Sequence, residues 1–314
     1  MPPIGHRQDR HEIVVRAPAP RVYQHIAEVE NWPRIFPPTI HVEHVERSAE
    51  QERIRIWATA NGEVKAWTSH RTLDPAGWRI DFRQEVSSPP VAAMGGAWIL
   101  EPVDDHTCRV VLLHDYRAEN DDPEKLEWIS RAVDRNSDAE LAALKVSVET
   151  LTGAADRLLD FEDSVRVNGS AKDLFDFIDR ADLWSERLPH VARVELTEES
   201  PGLQVLEMDT RSKDGSTHTT RSVRVCLDGH SIVYKQLLLP SLLSLHTGRW
   251  TFREEDGGTV ATSQHTVLID TDRIAEVLGP DADLAQARRM VRENLGANSR
   301  ATLRHAQEYA EGRR

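Results

Sequence analysis

The chain is written twice. Val22-Tyr23-x-x-Ile26, Trp32, Pro37 and Val42-Glu43 return 152 positions later as Leu174-Phe175-x-x-Ile178, Trp184, Pro189 and Val194-Glu195. The same shift carries Ile80, Phe82 and Gln84 onto Ile232, Tyr234 and Gln236, and Gly96, Trp98 and Thr107 onto Gly248, Trp250 and Thr259. Beyond a ten-residue insertion the shift becomes 162, and Asn136-Ser137-x-Ala139-x-Leu141 meets Asn298-Ser299-x-Ala301-x-Leu303. Matches in one order, with gaps confined to loops, mean two copies of one domain. A length of 314 residues suits two domains better than one. The boundary is expected near residues 151–160, giving domains 1–155 and 156–314.

Each copy carries the same pattern of elements. A short apolar strand (Ile13-Val14-Val15; Val165-Arg166-Val167) leads into a helix. Pro20 suits the first turn of that helix in copy one, and Ser170 with Asp173 reads as a cap in copy two. A second short helix at Trp32–Phe36 or Trp184–Leu188 stops at proline. Strands follow: Ile54, Ile56 and Ala58 alternate with polar residues, and Asn61-Gly62 marks a tight hairpin. Each copy closes on a long amphipathic helix, with apolar or small residues at 126, 129, 133, 137, 141, 144 and 148, and at 291, 295, 299, 303, 306 and 310. The pattern predicts an α+β fold: two tandem domains, each a curved antiparallel sheet wrapped around one long C-terminal helix. Helix and sheet cannot touch everywhere, so a cleft lies between them.

Charge narrows the function. The net charge of −13 argues against nucleic acid or an anionic membrane as partner. The opening residues Met1-Pro2-Pro3-Ile4-Gly5-His6-Arg7 have no signal-peptide core, which predicts a cytoplasmic protein. The two cysteines, Cys108 and Cys226, lack CxxC spacing. No HExxH, Walker loop, GxGxxG or GxSxG occurs, so neither a metal nor a cofactor is expected.

Three segments carry a family resemblance: Asn31-Trp32-Pro33-Arg34-Ile35-Phe36, Trp67-Thr68-Ser69-His70-Arg71, and the Asn136-Ser137 helix. Together they resemble the aromatase/cyclases of bacterial aromatic (type II) polyketide synthases, over essentially the whole chain, and the doubling resembles their di-domain members. The resemblance implies the helix-grip fold, also called START-like or Bet v 1-like. It implies an enzyme that takes a poly-β-ketone from an acyl carrier protein, usually after one ketoreduction, and directs aldol closure and dehydration of the first ring. Other synthase subunits would be transient partners. The chain departs from single-domain relatives at Lys65, where those often carry a second tryptophan, and at Pro37-Pro38-Thr39, where they often carry a tyrosine.

Strand alternation puts Trp67, Ser69 and Arg71 on one face, which the apolar neighbours turn inward. A guanidinium stays charged and can steady an enolate or polarise a ketone, so Arg71 is the first catalytic candidate, with Ser69 orienting water or a carbonyl. The competing reading pairs Arg71 with a carboxylate of the long helix, Asp134 or Glu140. Ser222 and Arg224 repeat the pair in copy two without the tryptophan, leaving that pocket a working site, a shaping partner or a relic. His114, on a face with Val110, Leu112 and Tyr116, is a candidate acid or base. Trp67, Trp98, Gln84, Gln236 and Asn136 are candidate substrate contacts. The rival function is a non-catalytic carrier of an apolar small molecule in the same cleft.

Overall fold

A computed structural model of the chain describes residues 6–149, 154–211, 215, 217–227 and 229–313. Residues 1–5, on which the leader argument partly rests, and 151–153 of the expected linker lie outside the described residues. The chain divides into two compact units, Met1–Leu151 and Thr152–Arg314.

In the N-terminal unit, β1 (His6–Val15) precedes α1 (Ala19–Ala27) and the single turn α2 (Trp32–Ile35). Six further strands run on as β2 (Thr39–Arg47), β3 (Gln51–Ala60), β4 (Glu63–Asp74), β5 (Arg79–Val86), β6 (Val91–Asp104) and β7 (Thr107–Ala118), and α3 (Pro123–Glu149) closes the unit. The seven strands form one antiparallel sheet in the order β1-β7-β6-β5-β4-β3-β2. The β3–β4 turn is as expected: Asn61 and Gly62 both take positive φ, 52° and 84°, which suits a two-residue hairpin turn. The Asn61 side chain then donates to the Trp128 carbonyl at 2.7 Å, tying the hairpin tip to α3.

The C-terminal unit begins with a turn, α4 (Ala154–Arg157), within which the expected boundary at 155/156 falls, and repeats the plan. Its elements are β8 (Leu158–Val167), α5 (Ala171–Asp179), α6 (Trp184–Arg187), β9 (Val191–Ser200), β10 (Leu203–Arg211), β11 (Thr217–Leu227), β12 (Ser231–Leu238), β13 (Leu243–Glu255), β14 (Gly258–Ile269), α7 (Ile274–Leu278) and α8 (Leu284–Glu311). The sheet order is again that of copy one, β8-β14-β13-β12-β11-β10-β9. The ten-residue insertion builds α7, whose Ile274 packs with Ala287 and Val291 of α8. Ser170 accepts from the Asp173 amide at 3.1 Å, the expected cap, and Asp283 with Gln286 forms a reciprocal cap on α8.

Helix composition explains where each domain stays hollow. In α3, Leu141, Leu144 and Val148 join the main core, while Ile129 and Val133 join a smaller cluster with Tyr116. Between these contacts stand the polar residues Asn136, Ser137 and Glu140, which belong to neither apolar cluster. In α8, Ala287 and Val291 serve one end and Leu303, Ala306 and Ala310 the other, with Asn298, Ser299 and Thr302 between them. Each helix grips its sheet at both ends and arches over a cavity in the middle. Among the described residues no helix is long and apolar enough to cross a membrane.

Candidate active site

In the N-terminal domain, β4 turns Ser69 and Arg71 inward as alternation requires, both at most 2% exposed. Neither lines the cavity. The Arg71 guanidinium lies beneath the end of α1, donating to the Ile26 carbonyl at 2.8 Å and the Ala27 carbonyl at 3.5 Å. These are the carbonyls a helix C-terminus leaves unpaired, and a cation suits them. Its carboxylate partner is Glu52, directly opposite on β3, whose Oε1 accepts at 2.6 Å. Glu52 also binds His44 Nε2 at 2.9 Å. Burial pulls Arg71 down to about 10, opposed by Glu52. The Trp32 ring stands 5.0 Å from the guanidinium and does line the cavity. Arg71 is therefore neutralised and set behind the wall, which corrects its expected role as a cavity cation and that of Ser69 beside it. The ion-pair alternative named the wrong element: the carboxylate comes from the adjacent strand, and Asp134 binds His11 at 3.1 Å instead.

Trp98 is likewise a core residue, 4% exposed, with its ring 6.1 Å from Phe36 in a stacked arrangement. It takes no part in the cavity lining, contrary to expectation. Trp67, Gln84, His114 and Asn136 do line the cavity, together with Lys65. The hollow leaves about 130 Å³ to the centre of a water molecule, room for several waters where one needs ~10–15 Å³.

Most of this wall is apolar: Ile56, Ala58, Trp67, Met94, Trp128 and Val133. Against it stand a few polar groups short of partners. Gln84 gives its amide to Met94 Sδ at 3.4 Å and leaves its carbonyl oxygen unbonded. Ser137 Oγ and His114 Nδ1 are also buried without a partner. Asn136 spends its amide on the Thr59 carbonyl at 2.9 Å. Burial holds His114 down at about 4, with His11 adding to the effect, so it is a neutral imidazole. Glu140 projects from α3 into the same cavity, and burial raises its carboxyl to about 8. The neutral carboxylic acid is the form this site favours. Sequence reading placed Glu140 only as a possible partner for Arg71; its position one turn beyond Asn136, amid the polar break in the helix stripe, was the available signal.

The C-terminal cavity has a different character. Ser222, Arg224 and Gln236 all line it, about 110 Å³ open to a water centre. Arg224 repeats the helix cap, donating to the Ile178 carbonyl at 2.6 Å and the Asp179 carbonyl at 3.5 Å, with Trp184 5.2 Å below. Gln236 Oε1 is buried and unbonded like Gln84 Oε1, its counterpart. A polar cluster that sequence reading missed fills the other side. Tyr234 Oη lies 3.0 Å from His265 Nδ1, His246 Nε2 lies 2.9 Å from the same nitrogen, and His265 Nε2 meets Ser299 Oγ at 2.6 Å. Burial keeps His265 at about 4 and His246 well below its ordinary value. His265 pairs with Gly248 as His114 pairs with Gly96, so the two histidines are equivalent, but their spacing of 151 hides the match.

Residues 15–143 and 159–311 each match a family described as polyketide cyclase/dehydrase and lipid transport. The granaticin polyketide synthase bifunctional cyclase/dehydratase of Streptomyces virginiae is 51% identical over 94% of this chain and 97% of its own length. The chain belongs to the polyketide cyclase/dehydratase family. The actinorhodin counterpart from Streptomyces coelicolor is 49% identical over 96% of each chain. Among solved structures, the di-domain ARO/CYC BexL from the BE-7585A pathway superposes with a TM-score of 0.86 at 61% identity, covering 97% of this chain and 99% of that one. The di-domain ARO/CYC StfQ from the steffimycin pathway gives the same TM-score at 34% identity. This cyclase/dehydratase is thus an enzyme of type II polyketide biosynthesis with a tandem START-like fold, catalysing cyclisation and dehydration.

Proposed function

We propose that the cyclase/dehydratase receives a poly-β-ketone still attached to an acyl carrier protein, reduced once beforehand, and forms its first ring in the N-terminal cavity. Glu140 and His114 move the protons. The apolar wall holds the chain folded so that an acidic methylene, flanked by two carbonyls, meets a distant ketone. The neutral imidazole of His114 takes the methylene proton, the C–C bond forms, and the Glu140 carboxyl protonates the new alkoxide. Dehydration reverses the roles: the Glu140 carboxylate takes the remaining α-proton, the C–O bond breaks, and the His114 imidazolium protonates the departing hydroxyl to water. Both groups return to their starting states, and aromatisation draws the sequence forward. Gln84 and Ser137 supply the unbonded polar atoms that would orient a carbonyl or hydroxyl.

The observation that carries this reading is a carboxyl and an imidazole, Glu140 and His114, on one apolar-walled cavity, where burial favours the neutral form of each. Such a pair supports acid–base chemistry more than passive carriage of an apolar ligand. The test is reconstitution with a minimal synthase and ketoreductase. Wild type should convert the shunt mixture to one aromatic ring, and His114→Asn should return the mixture toward shunt and undehydrated products. An unchanged product pattern from His114→Asn overturns the assignment.

A further inference from the structure

Gln84 differs from the other polar groups of the N-terminal cavity in what it lacks, which is a donor. Alternation along β5 turns Ile80, Phe82 and Gln84 to the inner face. Phe82 meets the His114 ring edge-on at 5.5 Å, and Gly96 of β6 lies between them, paired with both. Gln84 is the next inward residue along the strand, opposite Ser69 of β4, and its other flank is Met94 of β6. It shares one cavity with Glu140 and His114.

The amide has one sensible orientation. Nε2 donates to Met94 Sδ at 3.4 Å, and Oε1 is buried without a partner. Turned the other way, the carbonyl oxygen would face the thioether, two acceptors together, and the N–H groups would be left over. The cavity is therefore offered a bare carbonyl oxygen, which accepts and cannot donate. An acceptor buried without a donor destabilises a fold more than an apolar side chain of the same shape. The chain nevertheless carries it twice. Gln236 stands opposite Ser222 as Gln84 stands opposite Ser69, and its Oε1 is buried and unbonded too. Ser137 Oγ, by contrast, can donate or accept, and a neutral Glu140 carboxyl can donate, so either accommodates a ketone.

A ketone gives Gln84 nothing, because its oxygen only accepts. An enolised 1,3-diketone is no better, since its O–H closes on the neighbouring carbonyl. A secondary alcohol supplies the missing proton. We infer that Gln84 recognises the reduced position of the substrate: Oε1 accepts a hydrogen bond from the one hydroxyl on a chain of ketones. A ketone at the same place sets two carbonyl oxygens against each other and displaces the chain from the register in which its methylene meets His114. Building on the ring-closure reading above, this role makes Gln84 a determinant of which chain is accepted, with no part in proton transfer.

The test offers the full-length enzyme two carrier-bound chains in the reconstituted system, one made with the ketoreductase and one without. Wild type should form the first ring from the reduced chain at least about tenfold faster than from the unreduced one, in line with a hydrogen bond made in one case and an acceptor stranded in the other. Gln84→Met keeps the length of the side chain and removes the oxygen. It should slow ring formation from the reduced chain by about threefold to tenfold and leave the unreduced chain no slower, so that the preference largely disappears. Near-ultraviolet circular dichroism checks that the variant is folded. If Gln84→Met does not fold, Met94→Leu decides: without the sulfur the amide is free to turn its N–H inward, and the same loss of preference is expected. Equal rates on the two chains by wild type overturn the inference, as does an unchanged ratio in the folded variant. Ring formation from neither chain by wild type overturns the ring-closure reading as well, which keeps the two failures apart.

Discussion

Arg71 donates to Glu52 at 2.6 Å across the β3–β4 ladder, and both side chains are withdrawn from solvent. The pair is a structural clamp that seats the end of α1 on the sheet. Removing one partner leaves the other charge buried alone, so Glu52→Ala should destabilise the N-terminal domain by about 3–5 kcal/mol. Arg71→Met combined with Glu52→Met removes both charges and should recover much of that loss. Chemical denaturation followed at the N-terminal transition measures both, and the folded double variant should still close the ring.

The buried histidines make both domains acid-sensitive. His114 and His265 are held at about 4 against an ordinary 6.5, so the unfolded chain binds protons that the folded chain refuses. The histidines withdraw nothing from stability above about 6.5, and their cost grows as pH drops from there toward 4. Replacing His265 by Gln should flatten this dependence for the C-terminal domain, as read by thermal unfolding across that range.

Glu140 acts with the opposite sign. Its carboxyl is raised to about 8 from 4.5, so the folded chain holds a proton that the unfolded chain releases, and stability falls as pH rises between those values. Glu140→Gln should therefore be more stable than wild type at pH 8, by about 1–3 kcal/mol after allowing for relaxation and water in the cavity. The difference should vanish near pH 4. Unfolding curves at the two pH values decide it.

Gly96 and Gly248 let a sheet aromatic lie flat over the backbone. A Cβ at Gly248 would sit 2.3 Å from Tyr234 Oη, and one at Gly96 would sit 1.8 Å from the Leu113 carbonyl oxygen and 2.7 Å from Phe82 Cζ. Gly248→Ala should cost about 1–3 kcal/mol, typical of overpacking, and displace Tyr234 from His265. A histidine NMR spectrum unchanged by Gly248→Ala contradicts this.

Much of the architecture was legible in the sequence because the repeat, the helix stripe and the Asn61-Gly62 turn are local signals with fixed periods. The cavities were legible on a more general ground, that a helix and a curved sheet cannot touch everywhere, and Asn136 marks the place in copy one. Arg71 was misplaced because inward orientation does not distinguish the hollow from the helix end behind it; that depends on how far along β4 the residue sits. Its Glu52 partner depends on β3 register, which single-strand alternation does not supply. The exchange of Glu52 for Gln204 was nevertheless readable at the repeat shift of 152, as Phe82 for Tyr234 was. The His246–His265 pair was not, since copy one has Met94 at the place of His246 and a one-residue offset at His265.

The most direct measurement is the pH dependence of ring formation by wild type and Glu140→Gln in the reconstituted system, scored as aromatic product against shunt product. Wild type should hold its yield up to about pH 8 and lose it above, as the Glu140 carboxyl ionises. Glu140→Gln should form the ring about 10²–10⁴-fold more slowly, the usual contribution of a positioned acid, with no inflection near that pH. A Glu140→Gln protein with wild-type rate and the same alkaline limb contradicts the account.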